Sequence, residues 1–271
     1  KKMYPYFCTL HSLAYKCLRL ESHEIMDELD YTELSDQTGR TFINKMKKGN
    51  GMDISMPTAQ SHYQDTINLA YAKYPNDEDR LQKIFREVKL SDYGARNTIM
   101  QMDKDLTNFK RDRHKLEYVD YFNSFLQMKN PPALKYLFID EAQDLSAHQW
   151  MVVDMIQQIS KPIETYVAGD DDQAIFRWAG ADIEHFIAMA KDDNNTVIPL
   201  TQSYRVPKSV HTLATKMAQS ISNRIDKQYN PRDDEGERKV LNFRPLNKDL
   251  ETGEWLILCR THEIVKQVCE S

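Results

Sequence analysis

A short apolar run that ends in two acids constrains the fold of this chain more than any other feature. Residues 136–139 are all apolar or aromatic, and a run of this length predicts a fully buried β-strand. Asp140 and Glu141 follow at once. Carboxylates are costly where a buried strand emerges unless a cation meets them. The pair therefore predicts a site for Mg²⁺ and a nucleotide, in which Asp140 holds the ion and Glu141 activates water. An acidic helix N-cap explains these residues equally well when they are taken alone.

A second strand is predicted after a helix. The helical pattern covers residues 147–159 and the second apolar run covers residues 163–168. A helix-length crossover makes two such strands parallel, so their carboxyl ends lie at one edge of the sheet, where open α/β sheets bind ligands. The second run ends on an acidic turn that contains Gln173. The turn and the acidic pair should therefore face the same crevice.

The rest of the chain is mainly helical in its pattern. Only 8 glycines and 10 prolines occur in 271 residues, which favours long helices over many turns. Helices are predicted at residues 11–20, 30–47, 58–74, 78–88, 91–109, 115–127, 208–221 and 262–269. Further strands are predicted at residues 3–10, 197–200, 239–243 and 255–260. Residues 21–130 are expected to form a helical subdomain inserted between two strands of the sheet.

Two aromatic residues follow the acidic turn. Phe176 and Trp178 lie in a loop between Gly169 and Gly180. An exposed ring beside a phosphate crevice suits stacking on an unpaired base. The residues alone favour the alternative that Trp178 belongs to the core, since aromatic side chains are largely buried.

Two further pairs are candidates for ligand contacts. Thr9 and His11 lie at a predicted strand-to-helix joint, which can offer amides and a hydroxyl to a phosphate. A helix N-cap with a surface histidine is the favoured alternative for them. Tyr204 and Arg205 follow a predicted strand and could stack on a purine and neutralise a phosphate. An ordinary surface pair is as good an explanation.

Composition sets limits on partners. The net charge of −5 gives no global sign of nucleic-acid binding, so any basic footprint must be local. Residues 110–115 form one basic run, for which a solvated helix face is favoured over a phosphate contact. Cys8, Cys17, Cys259 and Cys269 lack metal-site spacing and suit reduced core thiols of an intracellular protein. We find no membrane-spanning run and no signal-peptide pattern, and we expect no membrane partner.

Three strings, in this order, resemble the motifs of one enzyme family. FIDEAQD at residues 138–144, AGDDDQAIFRWAGA at 168–181 and LTQSYRVP at 200–207 are similar to motifs II, III and IV of the UvrD/Rep/PcrA-like superfamily 1 DNA helicases. TLHSLA at residues 9–14 is similar to the TxHxxA element of that family. LEYVDY at residues 116–121 and WLILCRTH at 255–262 also fall where the family has related segments. The resemblance covers essentially the whole chain, although the helical insertion is matched only by position.

The resemblance implies an α/β fold. A RecA-like parallel sheet, domain 1A, would comprise residues 1–20 and 131–202. Its helical insertion, domain 1B, would comprise residues 21–130, and a partial second RecA-like domain, 2A, would begin in residues 203–271. The implied function is that of an ATP-dependent DNA helicase or translocase. It would act on single-stranded DNA at a duplex junction and bind ATP and Mg²⁺ between the two RecA-like domains.

The resemblance also implies roles for the residues at the nucleotide. By match, Asp140 would hold Mg²⁺ and Glu141 would activate water. Gln173 would sense the γ-phosphate and link it to DNA. Tyr204 would stack on adenine, and Arg205 would contact the γ-phosphate.

Four residues are implied on the DNA side. Trp178 would stack on a base of single-stranded DNA, with Phe176 beside it, and Thr9 and His11 would lie along the DNA path. Phe176 itself departs from the family pattern, because a tyrosine is common at its position. Ala174, Ala179 and Ser203 depart as well, and they indicate a divergent cytoplasmic member of bacterial or viral origin.

One family element does not occur in these residues. They contain no GxxxxGK[ST] phosphate loop, which would supply amides, a lysine and a hydroxyl to the nucleotide. The chain by itself is therefore expected to hydrolyse ATP poorly, and we read it as the central piece of a longer motor. Two alternatives remain: a non-catalytic single-stranded-DNA-binding or regulatory remnant, and the motor part of a helicase–nuclease.

Overall fold

The computed structural model describes residues 6–44, 59–238, 256–259 and 261–269. The chain forms two compact units. The first comprises Lys1–Val197 together with Asn223–Ile225, and the second comprises Ile198–Ser222 and Asp226–Ser271.

The first unit is mixed α/β. In chain order its elements are α1 Leu10–Leu18, α2 Glu28–Thr38, α3 Ala59–Lys73, α4 Arg80–Glu87, α5 Tyr93–Arg113, α6 Asp120–Met128, β1 Tyr136–Ile139, α7 Ala147–Ser160, β2 Glu164–Val167 and α8 Ile183–Lys191. In the second unit the structure describes α9 Lys208–Ala218 and α10 His262–Cys269. Each predicted helix has a counterpart, and most ends differ by no more than five residues. The helix predicted at residues 30–47 is the exception, because α2 ends at Thr38; residues 45–47 and 58 lie outside the described residues.

Strands β1 and β2 pair in parallel, as the crossover predicted. Tyr136 is opposite Glu164, and the register continues to Ile139 opposite Val167. Beyond the strands, the amide of Ala168 donates to the carbonyl of Ile139 at 2.8 Å. Both strands therefore end at the same edge of the sheet.

The sheet is buried on one face only, so the prediction of a fully buried β1 is wrong. Leu137 and Ile139 pack against the cores beneath α6, α7 and α8. Phe138 is 72% exposed and stacks on Tyr166 of β2, with ring centroids 4.9 Å apart. The sequence does not reveal the exposed face, because the exposed positions of β1 are aromatic residues and the run therefore reads as apolar throughout.

Helices α2 to α5 enclose the first core. In α5 the buried residues Ile99, Met102, Leu106 and Phe109 recur every three to four positions and form one apolar stripe. The helix begins at the N-cap Asp92, whose carboxylate accepts from two backbone amides. All the buried residues of this core lie between Met26 and Phe109, before the first strand.

Helix α7 serves two further cores. Val152 and Ile156 face α1 and α6, whereas Trp150 and Val153 face α8. Since adjacent positions of a helix point about 100° apart, one helix can fill both layers. The core shared with α8 lies directly beneath the carboxyl edge of the sheet, where Ile139 and Val167 pack against it.

Several predicted strands are wrong in the part of the chain that is described. Residues 6–9 precede α1 without strand structure, and residues 197–200 and 256–259 have none either. Near the second of these segments, pairing begins only at Gln202, which forms a parallel bridge with Asn230. A short apolar run predicts a strand poorly, because it becomes one only beside a hydrogen-bonding partner. Residues 239–243, Trp255 and Arg260 lie outside the described residues.

Two smaller expectations were also tested. Cys8 is exposed, so its interpretation as a core thiol is wrong. Among the residues that the structure describes, no helix has the length and apolar content that a membrane crossing requires.

Candidate functional site

The two acids lie where β1 ends. Asp140 and Glu141 are both exposed at the carboxyl edge of the sheet. Glu141 has a φ angle of 52°, in the left-handed region that residues other than glycine rarely adopt. Its amide donates to Asp140 Oδ1 at 3.0 Å. This bend turns the chain abruptly out of the strand and leaves both carboxylates at the surface.

A buried glutamine, which the sequence reasoning missed, joins the two strand exits. Gln143 is 1% exposed. Its Nε2 donates to Glu141 Oε2 at 2.8 Å, and its Oε1 accepts from the amide of Asp170 at 3.0 Å. Gly169 makes this approach possible, because a Cβ there would lie 2.7 Å from Gln143 Oε1. The signal available in the sequence was a polar residue just after a buried strand.

The acidic turn brings Gln173 to the same edge. Gln173 Nε2 donates to Asp170 Oδ2 at 2.5 Å, and Asp170 Oδ1 accepts from the amide of Asp172 at 3.2 Å. A continuous series of hydrogen bonds therefore runs from Gln173 through Asp170 and Gln143 to Glu141. The structure thus brings Asp140, Glu141 and Gln173 together, as the parallel crossover predicted. We call this group the acidic edge.

A cleft of about 1240 Å³ opens in the same unit. It is lined by His11, Phe176 and Trp178 among other residues. Trp178 is 74% exposed, so the alternative that it belongs to the core is wrong. Its ring centroid lies 6.3 Å from that of Phe176. Three of the four residues predicted on the DNA side therefore share one cleft, which we call the aromatic cleft.

His11 is not the surface histidine that the alternative proposed. Its ring stacks on Tyr118 with centroids 3.4 Å apart, and it contacts Phe122 at 4.0 Å. Burial, together with nearby His148, lowers the pKa of His11 to about 3. Burial also lowers the pKa of His148 to about 4. Both rings are therefore neutral at pH 7 and act as flat, weakly polar surfaces.

Two buried polar atoms among the cleft residues lack a hydrogen-bond partner within the described part of the chain. They are Asp144 Oδ1 and His148 Nε2. Burial and the charge of Glu141 raise the pKa of Asp144. Such orphaned atoms are uncommon in folded proteins, because a buried polar atom without a partner costs free energy.

Thr9 does not join the residues that line the cleft. Its hydroxyl accepts from the amide of Ser12 at 3.2 Å and caps the N-terminus of α1. This is the capping role that was the alternative for Thr9. A direct contact between Thr9 and DNA stays a prediction.

Tyr204 and Arg205 belong to the second unit and are described within it. Both side chains are exposed. The Ser203 hydroxyl accepts from the amide of Val206 at 3.1 Å and shapes the turn that carries them. The amide of Ser203 in turn donates to the carbonyl of Asn230 at 2.8 Å. The turn therefore presents a ring and a guanidinium to solvent from an ordered backbone.

Comparison with known proteins gives the chain a family. The UvrD/REP helicase N-terminal domain matches residues 3–194. The chain belongs to this family. The resemblance read from the three strings is thereby confirmed. The mixed α/β class is confirmed too, while the finer RecA-like arrangement stays a prediction.

Bacterial UvrD/REP relatives align over different lengths. The ATP-dependent DNA helicase PcrA of Bacillus subtilis (strain 168) is 38% identical over 104 residues, which are 38% of this chain and 14% of the relative. PcrA of Staphylococcus aureus (strain Mu50) is 27% identical over 233 residues, which are 81% of this chain and 30% of the relative. The chain therefore spans less than a third of the length of these relatives.

The residues of this UvrD/REP chain fit Mg²⁺ in a specific way. Among the described residues, no group of three or more His, Cys, Asp or Glu side chains could hold a metal ion. The acidic edge instead presents Asp140 and Glu141 to solvent. Mg²⁺ is usually bound through one or two carboxylates together with phosphates and water. The edge therefore suits an ion that arrives with a nucleotide.

The basic run at residues 110–115 is used inside the UvrD/REP fold. Lys110 is buried and pairs with Glu117 at 3.1 Å and with Asp120 at 2.8 Å. Lys115 pairs with Asp30 at 2.8 Å. Arg111 and Arg113 also pair with carboxylates. Both interpretations of the run are therefore wrong at Lys110, whose charge stabilises a buried network.

Proposed function

We propose that the chain is the central part of an ATP-dependent DNA helicase or translocase that moves along single-stranded DNA. One observation carries the proposal. Gln173 belongs to the acidic edge, and Phe176 and Trp178, three and five residues later, line the aromatic cleft. A single short loop therefore has one end at the candidate nucleotide site and the other at the candidate base-stacking site.

The acidic edge would serve the nucleotide. Asp140 would hold Mg²⁺, which when bound neutralises phosphate charge. Glu141 would orient the attacking water and accept its proton, and Gln143 keeps the Glu141 carboxylate in a fixed direction. Tyr204 and Arg205 would contact the adenine and the γ-phosphate, as the family resemblance implies.

The aromatic cleft would serve unpaired DNA. An exposed ring such as Trp178 can stack on any base, and this contact is worth about 1–3 kcal/mol per base. The stacked pair of His11 and Tyr118 offers a second flat surface. The described residues that line the cleft include Asp65, Glu117 and Asp144 but no lysine or arginine, so stacking is expected to outweigh phosphate contacts there.

The test compares variants of the full-length protein. Glu141→Gln should abolish ATP hydrolysis and leave single-stranded DNA binding intact, because the amide cannot accept the proton. Trp178→Ala should weaken DNA binding by about 5- to 150-fold, which corresponds to the loss of one stacked base. Tyr93→Ala is the matched control, since Tyr93 is an exposed aromatic residue that does not line the cleft.

The outcomes separate the candidate functions. Undiminished ATP turnover in Glu141→Gln would contradict the proposed role of the acidic edge. Equal DNA affinities of Trp178→Ala and Tyr93→Ala would contradict the role of the cleft. A wild-type protein that binds DNA and hydrolyses no ATP would support the non-catalytic alternative.

A further inference from the structure

A three-residue segment late in the chain belongs to the first compact unit. Asn223–Ile225 belong to the first compact unit, although the residues before and after them belong to the second. A segment so short stays in place only if its contacts are specific, because fixing each residue costs conformational entropy.

The contacts of this segment are with the acidic turn. Arg224 Nε and Nη2 donate to the two carboxylate oxygens of Asp172, each at 2.8 Å. Both side chains are largely buried. The amide of Ile225 donates to Asp171 Oδ2 at 2.7 Å. The Ile225 side chain packs against the core beneath the carboxyl edge. The segment therefore binds two consecutive aspartates of the turn, Asp172 through a guanidinium and Asp171 through a backbone amide.

The contacts of Arg224 and Ile225 with Asp172 and Asp171 restrain the turn that carries part of the acidic edge. Asp171–Gln173 form a single 3₁₀ turn whose N-cap is Asp170. Asp170 accepts from Gln173 and donates through its amide to Gln143, which holds Glu141. A bidentate arginine pair restrains both the position and the orientation of a carboxylate. It also offsets the repulsion among three consecutive aspartates.

We propose that Arg224 is a positioning residue for ATP hydrolysis: by clamping Asp172 it holds the acidic turn in the conformation that aims Gln173 and Asp170 at the nucleotide. The inference rests on the proposed function. Arg224 is proposed to touch no reacting atom and to act through Asp172. Its loss should therefore lower turnover while leaving the aromatic cleft as it is.

The experiment uses the full-length protein and measures ATP turnover with saturating single-stranded DNA, DNA affinity, and amide hydrogen exchange. Arg224→Ala should lower kcat at least tenfold, change DNA affinity less than twofold, and speed exchange in residues 170–174. Arg224→Lys should recover part of the kcat, since a lysine keeps the charge but not the bidentate fork. Asp172→Asn should match Arg224→Ala, and the double variant should be no worse than either.

Arg232→Ala is the matched control. Arg232 pairs with Asp234 at a half-exposed position, so its loss should change kcat less than twofold. A kcat for Arg224→Ala within twofold of wild type would overturn the inference. So would additive losses in the double variant, or losses of kcat and DNA affinity in equal proportion.

A wild-type protein without ATP turnover would refute the proposed function, and with it the catalytic part of this inference. Hydrogen exchange would then still decide whether Arg224 holds the turn. Unchanged exchange in residues 170–174 of Arg224→Ala would refute that as well.

Discussion

Gly169→Ala should destabilise the first unit through a single added methyl group. The new Cβ would lie 2.7 Å from Gln143 Oε1 and 3.0 Å from Phe186 Cζ. Both neighbours are buried. Overpacking of this kind costs about 1–3 kcal/mol. If Gln143 moves away, the Asp170 amide also loses its acceptor, at a further cost of about 1–3 kcal/mol. The expected loss in unfolding free energy is thus about 2–6 kcal/mol.

The assay is thermal or denaturant unfolding of the purified chain. For a domain of this size, about 2–6 kcal/mol lowers the midpoint by roughly 4–24 °C, at about 2–4 °C per kcal/mol. Gly94→Ala is the control, because Gly94 lies in the first turn of α5 and a Cβ there would approach only Asp92 Oδ1, at 3.3 Å. That substitution should be neutral or slightly stabilising, since alanine favours helix.

A double-variant cycle tests the cause. In a Gln143→Ala background the glutamine oxygen is absent, so Gly169→Ala should cost much less than in the wild type. If the cost is the same in both backgrounds, the close approach of Gln143 is not its source. A midpoint for Gly169→Ala within about 2 °C of wild type would refute the steric reasoning altogether.

Two further predictions concern buried polar groups. The pKa of His148 is lowered to about 4 in the folded state, against about 6.5 when unfolded. The stability that this shift contributes is therefore present above pH 6.5 and should fall by about 2 kcal/mol by pH 5. His148→Phe should lessen the pH dependence of the thermal midpoint between these values and leave the part due to His11, whose pKa is lowered as well. His62→Gln, at an exposed site, should not lessen it; equal slopes would contradict the assignment. Tyr31→Phe removes a 2.6 Å hydrogen bond to the buried Glu117 and should cost about 1.5–3 kcal/mol in denaturant unfolding. The exposed Tyr93→Phe is its control, and a cost below about 0.5 kcal/mol would mean that this bond adds little.

The parallel crossover and its acidic edge could be predicted from the sequence because both depend on local patterns. Residues 136–139 and 163–168 are short apolar runs separated by a helix length, and only a parallel pairing joins them simply. That rule alone was enough to bring Glu141 and Gln173 together. Gln143 escaped notice because its role depends on a hydrogen bond to Asp170, 27 positions away in the chain.

Long-range contacts explain most of the errors. A solvated helix face was favoured for the basic run because Asp30, the partner of Lys115, lies 85 positions earlier in the chain. A surface position was favoured for His11 because Tyr118, on which it stacks, lies 107 positions later in the chain. The exposed face of β1 was hidden for a related reason: periodicity reports which residues are apolar, and not whether anything covers them.

The open face of the two-stranded sheet has a practical consequence. The rings of Phe138 and Tyr166 stack on the exposed face of the sheet. The two strands that carry them are each only four residues long. Exposed apolar surface of this kind is a site at which other apolar groups bind or chains aggregate. Concentrated solutions of this chain should therefore be handled with a mild solubilising additive, and the dye fluorescence of the folded chain should not be mistaken for unfolding.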